Sequence, residues 1–206
     1  MKKVILSGDS ISLDYGPQHR GAVRSDIEIC SKPGAEEAYR NLDLPIGGNG
    51  GDSARVLGYL KELNEKDELC CDYFFFNCGL HDIKRERPEE RLQIGREEYR
   101  ANLQAILDLT GQRGIKTVFI TTTRADESRY KPTAPFTRRA EDVLAYNVIA
   151  CEVMRENGIE TVDLYAFTES LGLTSEELFR DHTHFRPQII SLQAAYLAGA
   201  INAIVK

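Results

Sequence analysis

The sequence predicts an α/β fold of three layers, a mostly parallel sheet with helices packed on both faces. Two observations predict it. Short apolar runs of strand length alternate with longer segments of helical periodicity along the whole chain. Some of the runs, Tyr73-Phe74-Phe75-Phe76 above all, are continuously apolar rather than alternating, as a strand covered on both faces requires. With 206 residues, 42% of them hydrophobic, the chain can bury one sizeable core. No linker, repeat or low-complexity tract divides it, so a single domain over residues 1–206 is expected.

Taken in order, Lys3–Leu6 is the first strand and ends at Gly8-Asp9-Ser10-Ile11. Asp26–Cys30 is a weaker strand, and Leu42–Ile46 leads into the cluster Gly47-Gly48-Asn49-Gly50-Gly51. Asp52 or Ser53 then caps a helix carrying Val56, Leu57, Leu60 and Leu63 on one stripe. After the Tyr73–Phe76 strand, residues 97–113 are amphipathic, with Leu103, Ile106 and Leu107 inward and Gly114 as the stop. Thr117–Ile120 is the next buried strand. A helix over residues 138–156 ends at Asn157-Gly158, and Thr161–Leu164 is the last strand. The closing helix starts near Pro187 and turns Ile190, Ala194, Leu197, Ile201 and Ile204 inward. Two connections exceed what the alternation needs, 79–95 and 121–137. Loops of that length are usually functional or disordered. The second carries Arg124, Arg129 and Lys131, with Arg138 at its end, which read either as solvated charges or as a substrate rim.

Composition excludes several classes. A net charge of −6 leaves no electrostatic footprint for nucleic acid. No apolar stretch approaches the roughly eighteen residues of a membrane span. The apolar run after Met1-Lys2-Lys3 is far shorter than the roughly seven to fifteen residues of a secretory core. Cys30, Cys70, Cys71, Cys78 and Cys151 are odd in number and lack metal spacing, so they read as reduced thiols in a cytoplasmic protein. No cofactor motif is present: the glycine cluster has neither a phosphate-loop lysine nor a dinucleotide fingerprint.

The chemistry concentrates in three places. Gly8-Asp9-Ser10 leaves a buried strand at the end where open α/β sheets bind ligands, so Ser10 is placed as a nucleophile. Asp181-His182-Thr183-His184 supplies a base, and its three-residue spacing puts Asp181 and His184 on one face of a turn. Triads are recognised by such roles rather than by position. Acyl transfer also needs donors for a developing oxyanion. The glycine cluster offers backbone amides, and Gly79-Leu80-His81-Asp82 follows the Phe-rich strand at the same edge.

Together these segments resemble the SGNH (GDSL-type) hydrolases over nearly the whole chain. Gly8-Asp9-Ser10-Ile11 resembles the first block, Gly51-Asp52-Ser53 the second, Gly79-Leu80-His81-Asp82 the third and Asp181-x-x-His184 the fifth. The resemblance implies a flavodoxin-like sandwich and a cofactor- and metal-free hydrolase of a small ester, with a leaning to short-acyl esters of carbohydrates. It implies Ser10, His184 and Asp181 as triad, and Ser10, Gly51 and the third-block residue as oxyanion hole. That residue is usually asparagine and here is His81, whose imidazole can donate but titrates near neutrality. Two other readings stay open. Asp9, His81, His182 and His184 could serve as ligands of a metal-dependent phosphoesterase, or the sheet could carry a non-catalytic binding module.

Overall fold

In the computed structural model, which describes residues 1–206, β1 (Lys2–Ser7) leads through Gly8-Asp9 into α1 (Ser10–Arg20). Then come β2 (Ile27–Ser31), the single turn α2 (Ala35–Ala38), α3 (Ser53–Glu65) and β3 (Tyr73–Phe76). Two-residue strands β4 (Arg85–Glu86) and β5 (Arg91–Leu92) precede α4 (Arg96–Gln112) and β6 (Lys116–Ile120). After β7 (Phe136–Thr137) follow α5 (Ala140–Glu156), β8 (Glu160–Val162), α6 (Leu164–Ser170), α7 (Ser175–Leu178) and α8 (Pro187–Ile204).

Five strands form one parallel sheet in the order β2-β1-β3-β6-β8. The chain steps one way from β1 to β2 and the other way for every later strand. Right-handed crossovers therefore send α1 to one face and α3, α4 and α5 to the other. Helix α8 packs on α1 and α6, completing the first layer. The topology reverses between β1 and β3, and Ser10 leaves the sheet at that crevice. Phe74, Phe75, Phe76 and Phe119 lose all exposure between the layers. Phe76 meets Phe119 edge-on at 5.2 Å, an arrangement aromatic quadrupoles favour.

The segment Leu42–Ile46, which leads into the glycine cluster, is a turn, held by Asn49 Nδ2 donating to the Leu42 and Leu44 carbonyls, 3.2 Å each. The predicted strands and helices stand within a few residues of their expected bounds, with two differences. The last strand ends at Val162, because Asp163 caps α6 by accepting from the Ala166 N–H at 2.9 Å. The two long connections are not bare loops: β4 pairs with β5 from the first and with β7 from the second, making a small antiparallel sheet.

One core residue works against stability. His19, four residues from Tyr15 on α1, is fully buried with neither ring nitrogen hydrogen-bonded. Burial pushes its pKa down to about 4. The unfolded chain takes up this proton near pH 6.5, so the stability His19 leaves intact above that pH is lost as the pH falls toward 4. His19→Leu should raise Tm, and by more at pH 5 than at pH 8. Thermal denaturation at both values checks this; an equal shift at the two would contradict it.

Candidate active site

Asp9 and Ser10 sit where β1 runs out. The Asp9 carboxylate caps α1, accepting from the Ile11 N–H at 2.9 Å. Burial nevertheless raises its pKa, against that N–H and the nearby Arg138 charge. Ser10, the first residue of α1, has no intrahelical acceptor for its backbone N–H. The glycine cluster presses directly against this turn: Gly50 N–H donates to Gly8 O at 2.8 Å, and a Cβ on Gly50 would stand 2.8 Å from that oxygen. Only glycine permits the approach.

From the other end of the chain, Phe179 and Phe185 form an isolated antiparallel bridge and stack at 4.9 Å. Between them Arg180 N–H donates to His184 O at 2.9 Å, closing a tight turn. Arg180 also reaches Asp14 Oδ2 at 2.8 Å, fastening this turn to α1 four residues beyond Ser10. Inside the turn Asp181 Oδ1 accepts the Thr183 and His184 N–H groups, 2.8 Å each, and Oδ2 lies 2.8 Å from His184 Nδ1. Partial burial alone would push the Asp181 carboxyl up, but the His184 ring and these N–H groups outweigh it and hold it far below the usual carboxylate range. An ionised carboxylate only accepts, so the ring proton belongs on Nδ1 and Nε2 is left as acceptor. Ser10 Oγ lies 2.8 Å from that Nε2. Serine, imidazole and carboxylate thus form one hydrogen-bonded line.

The remaining predicted residues fare differently. The Gly51 N–H donates to Asn49 Oδ1 at 3.0 Å, so it is already engaged. His81 is 1% exposed, and its Nδ1 is buried without a partner. Burial, helped by the Arg138 and Lys84 charges, pushes its pKa down to about 3. The expectation that it titrates near neutrality is thereby corrected, because the fold keeps this imidazole neutral. Its loop is fixed by two groups. Gly79 has φ +152 and leaves room for Thr122 Oγ1, which a Cβ would meet at 2.2 Å. Asp82, pushed by burial up to about 7, accepts the Ser53 N–H at the start of α3 at 2.9 and 3.1 Å.

Of the two rim arginines, Arg129 lines a cavity of about 440 Å³ shared with Asp43, Tyr130, Phe136, Asp181 and His182. Arg124 turns away, spending its guanidinium on Glu169 at 3.4 Å and Ser175 Oγ at 3.2 Å. Asp9, His81, His182 and His184 are not gathered into one ligand set, since His184 holds Ser10 and Asp181 while His182 Nε2 faces Asp43 at 3.3 Å. Sequence reasoning missed Asn77, whose Nδ2 donates to Ile120 O at 2.8 Å and ties the ends of β3 and β6. Asn49 entered only as part of the glycine cluster and Arg138 only among the charges of the second long connection, neither with the structural role it has. No spacing or periodicity marks any of the three.

Residues 6–189 match the model of the GDSL-like lipase/acylhydrolase family. The chain belongs to this family. It is an ester hydrolase, and its substrate is a small-molecule ester. Similar solved structures include a lipase/acylhydrolase from Enterococcus faecalis, 21% identical with a TM-score of 0.70, covering 100% of this chain and 98% of that one. A GDSL-like lipase from Bacteroides thetaiotaomicron is 15% identical with a TM-score of 0.70, covering 99% and 89%. An acetylxylan esterase from Geobacillus stearothermophilus is 17% identical with a TM-score of 0.66, covering 97% and 92%. Among curated proteins none matches this chain. No helix of this family member is long and apolar enough to cross a membrane.

The geometry separates the two neighbouring histidines. His184→Ala should lower ester hydrolysis by on the order of 10³-fold. His182→Ala, which leaves the Ser10–His184 contact intact, should cost less than about tenfold by the same measure. Steady-state rates of the two folded variants check this, and a larger loss in His182→Ala would contradict it.

Proposed function

We propose that this hydrolase works by covalent acyl transfer through Ser10, His184 and Asp181. The observation that carries the reading is the line Ser10 Oγ–His184 Nε2–Asp181, with both links at 2.8 Å. Ser10 Oγ attacks the ester carbonyl and forms the new C–O bond, while its proton passes to His184 Nε2. Asp181 holds the ring and balances the imidazolium. The tetrahedral intermediate collapses, the alcohol leaves with the proton from His184, and an acyl-Ser10 remains. Water then attacks that ester, with His184 again as base, and Ser10 and the free acid are released.

Charge on the former carbonyl oxygen needs donors aimed at it. Ser10 N–H is unengaged at the head of α1, and a neutral His81 carries one ring N–H that no protein acceptor takes up. Gly51 N–H joins them by sharing its hydrogen with Asn49 Oδ1. The acyl group is short and the alcohol is a carbohydrate. Similarity in fold to an acetylxylan esterase supports this, as does the cavity beside Asp181, which mixes aromatic Tyr130 and Phe136 with polar Asp43, His182 and Arg129. Five free cysteines, Cys70 and Cys151 exposed, suit a reducing, cytoplasmic setting.

The test is a panel of nitrophenyl esters graded by acyl length, followed by acetylated sugars. Acetyl esters should be the best substrates, and Ser10→Ala should lower kcat by on the order of 10³-fold or more without unfolding. Retention of more than a tenth of the rate would sink the serine mechanism, and a preference for long acyl chains would sink the substrate reading.

His81 gives an independent prediction. With its pKa near 3, the imidazole does not change charge between pH 5 and 8. His81→Asn should therefore keep substantial activity and the wild-type pH–rate shape over that range. His81→Ala should lower kcat by roughly 10²-fold while moving KM little, as loss of an oxyanion donor does. Full kcat in folded His81→Ala would remove His81 from the oxyanion hole.

A further inference from the structure

The largest side chain that the fold encloses almost completely is Arg138, 2% exposed. Its contacts run to four separate connections. Nε donates to Leu80 O at 2.6 Å, next to His81. Nη1 donates to Thr183 Oγ1 at 3.4 Å, next to His184, and to Tyr130 Oη at 3.1 Å on the 121–137 connection. Nη1 also lies 3.5 Å from Asp43 Oδ1, on the segment that folds back onto Asn49 and Gly51. The guanidinium stands 5.0 Å from the centre of the Phe136 ring.

Stability alone is a poor reason for this arrangement. Desolvating a guanidinium is costly, and buried ion pairs are often replaced by apolar side chains without loss. Its one carboxylate partner, Asp43, is shared with His182. What arginine supplies, and lysine does not, is a rigid planar fork with donors in fixed directions. Here that fork spans the loop before His81 and the loop before His184.

We propose that Arg138 is a positioning residue for acyl transfer, clamping the His81 loop to the His184 loop through Leu80 O and Thr183 Oγ1. The proposal rests on the serine mechanism above. It touches no reacting atom; it sets the register between the base on one loop and the oxyanion donor on the other. Misplacement by about 1 Å in such a site can cost on the order of 10²-fold in rate.

The experiment compares Arg138→Lys and Arg138→Gln with the wild type on nitrophenyl acetate, with active sites counted by titration with a nitrophenyl phosphonate. In both variants kcat per titrated site should fall about tenfold or more, with KM within about threefold of wild type. Loss in the lysine variant, which keeps the charge, marks geometry as the cause. A merely structural role would lower Tm and leave kcat per site unchanged; kcat within threefold of wild type in the folded variants overturns the proposal. Should Arg138→Gln fail to fold, Thr183→Val cuts the arm to the His184 loop while leaving the Leu80 O contact in place. It should lower kcat at least threefold at near wild-type Tm, and unchanged kcat there also overturns the clamp. Ser10→Ala run alongside separates the two failures. Activity that survives it rejects the serine mechanism itself, whereas serine-dependent activity indifferent to Arg138 rejects only the clamp.

Discussion

The contact between Ser10 Oγ and His184 Nε2 joins residues 174 positions apart, and the rest of the site is arranged so that it can form. A parallel sheet delivers the C-terminal ends of all its strands to one edge, and the reversal of strand order beside β1 opens a crevice there. Ser10 enters that crevice at the first turn of α1. His184 arrives from the opposite end of the chain on a turn closed by the Phe179–Phe185 bridge and fastened to α1 by the Arg180–Asp14 ion pair. Because both partners are almost fully enclosed, the proton transfer proposed between them would take place in a medium where fixed dipoles act strongly.

The parts of the fold that bury apolar surface were legible in the sequence. β1, β3 and β6 are short apolar runs that tolerate no other reading, and α3, α4, α5 and α8 carry an inward stripe. α1 was not legible as a helix: Pro17 lies inside it, and its buried face includes Ser10, Ser12, Gly16 and His19, which no hydrophobic pattern marks. The pairing of β4 with β5 and β7 was hidden for a different reason. Two-residue strands are set by tertiary contact between connections, and their own residues carry no periodicity. In the candidate site, Ser10, Asp181 and His184 could be read because their chemistry demands those types at that spacing. Arg138 could not, because an arginine in a long connection reads as solvated until its partners from four segments are seen together. The engagement of Gly51 N–H by Asn49 was equally invisible, since it depends on the conformation of the glycine cluster.

Several polar groups at this edge are buried without partners, among them Ser7 Oγ, Asp9 Oδ2 and His81 Nδ1. Each such atom costs roughly 1–3 kcal/mol of stability. All three flank the crevice at the ends of β1 and β3, and departures from full satisfaction are expected where a fold serves a ligand. His19 is enclosed in the α1–α8 layer away from that crevice, and nothing in the structure gives its unpaired nitrogens a role.

The most direct test of covalent acyl transfer is to find the covalent bond. The wild-type protein is treated with a nitrophenyl phosphonate, and its mass is measured intact and after peptide mapping. The mechanism predicts one phosphonyl group per chain, carried by the peptide containing Ser10, in step with loss of esterase activity; Ser10→Ala should take up none. An adduct on another residue that tracks the loss of activity, or full inhibition with Ser10 unmodified, would contradict it.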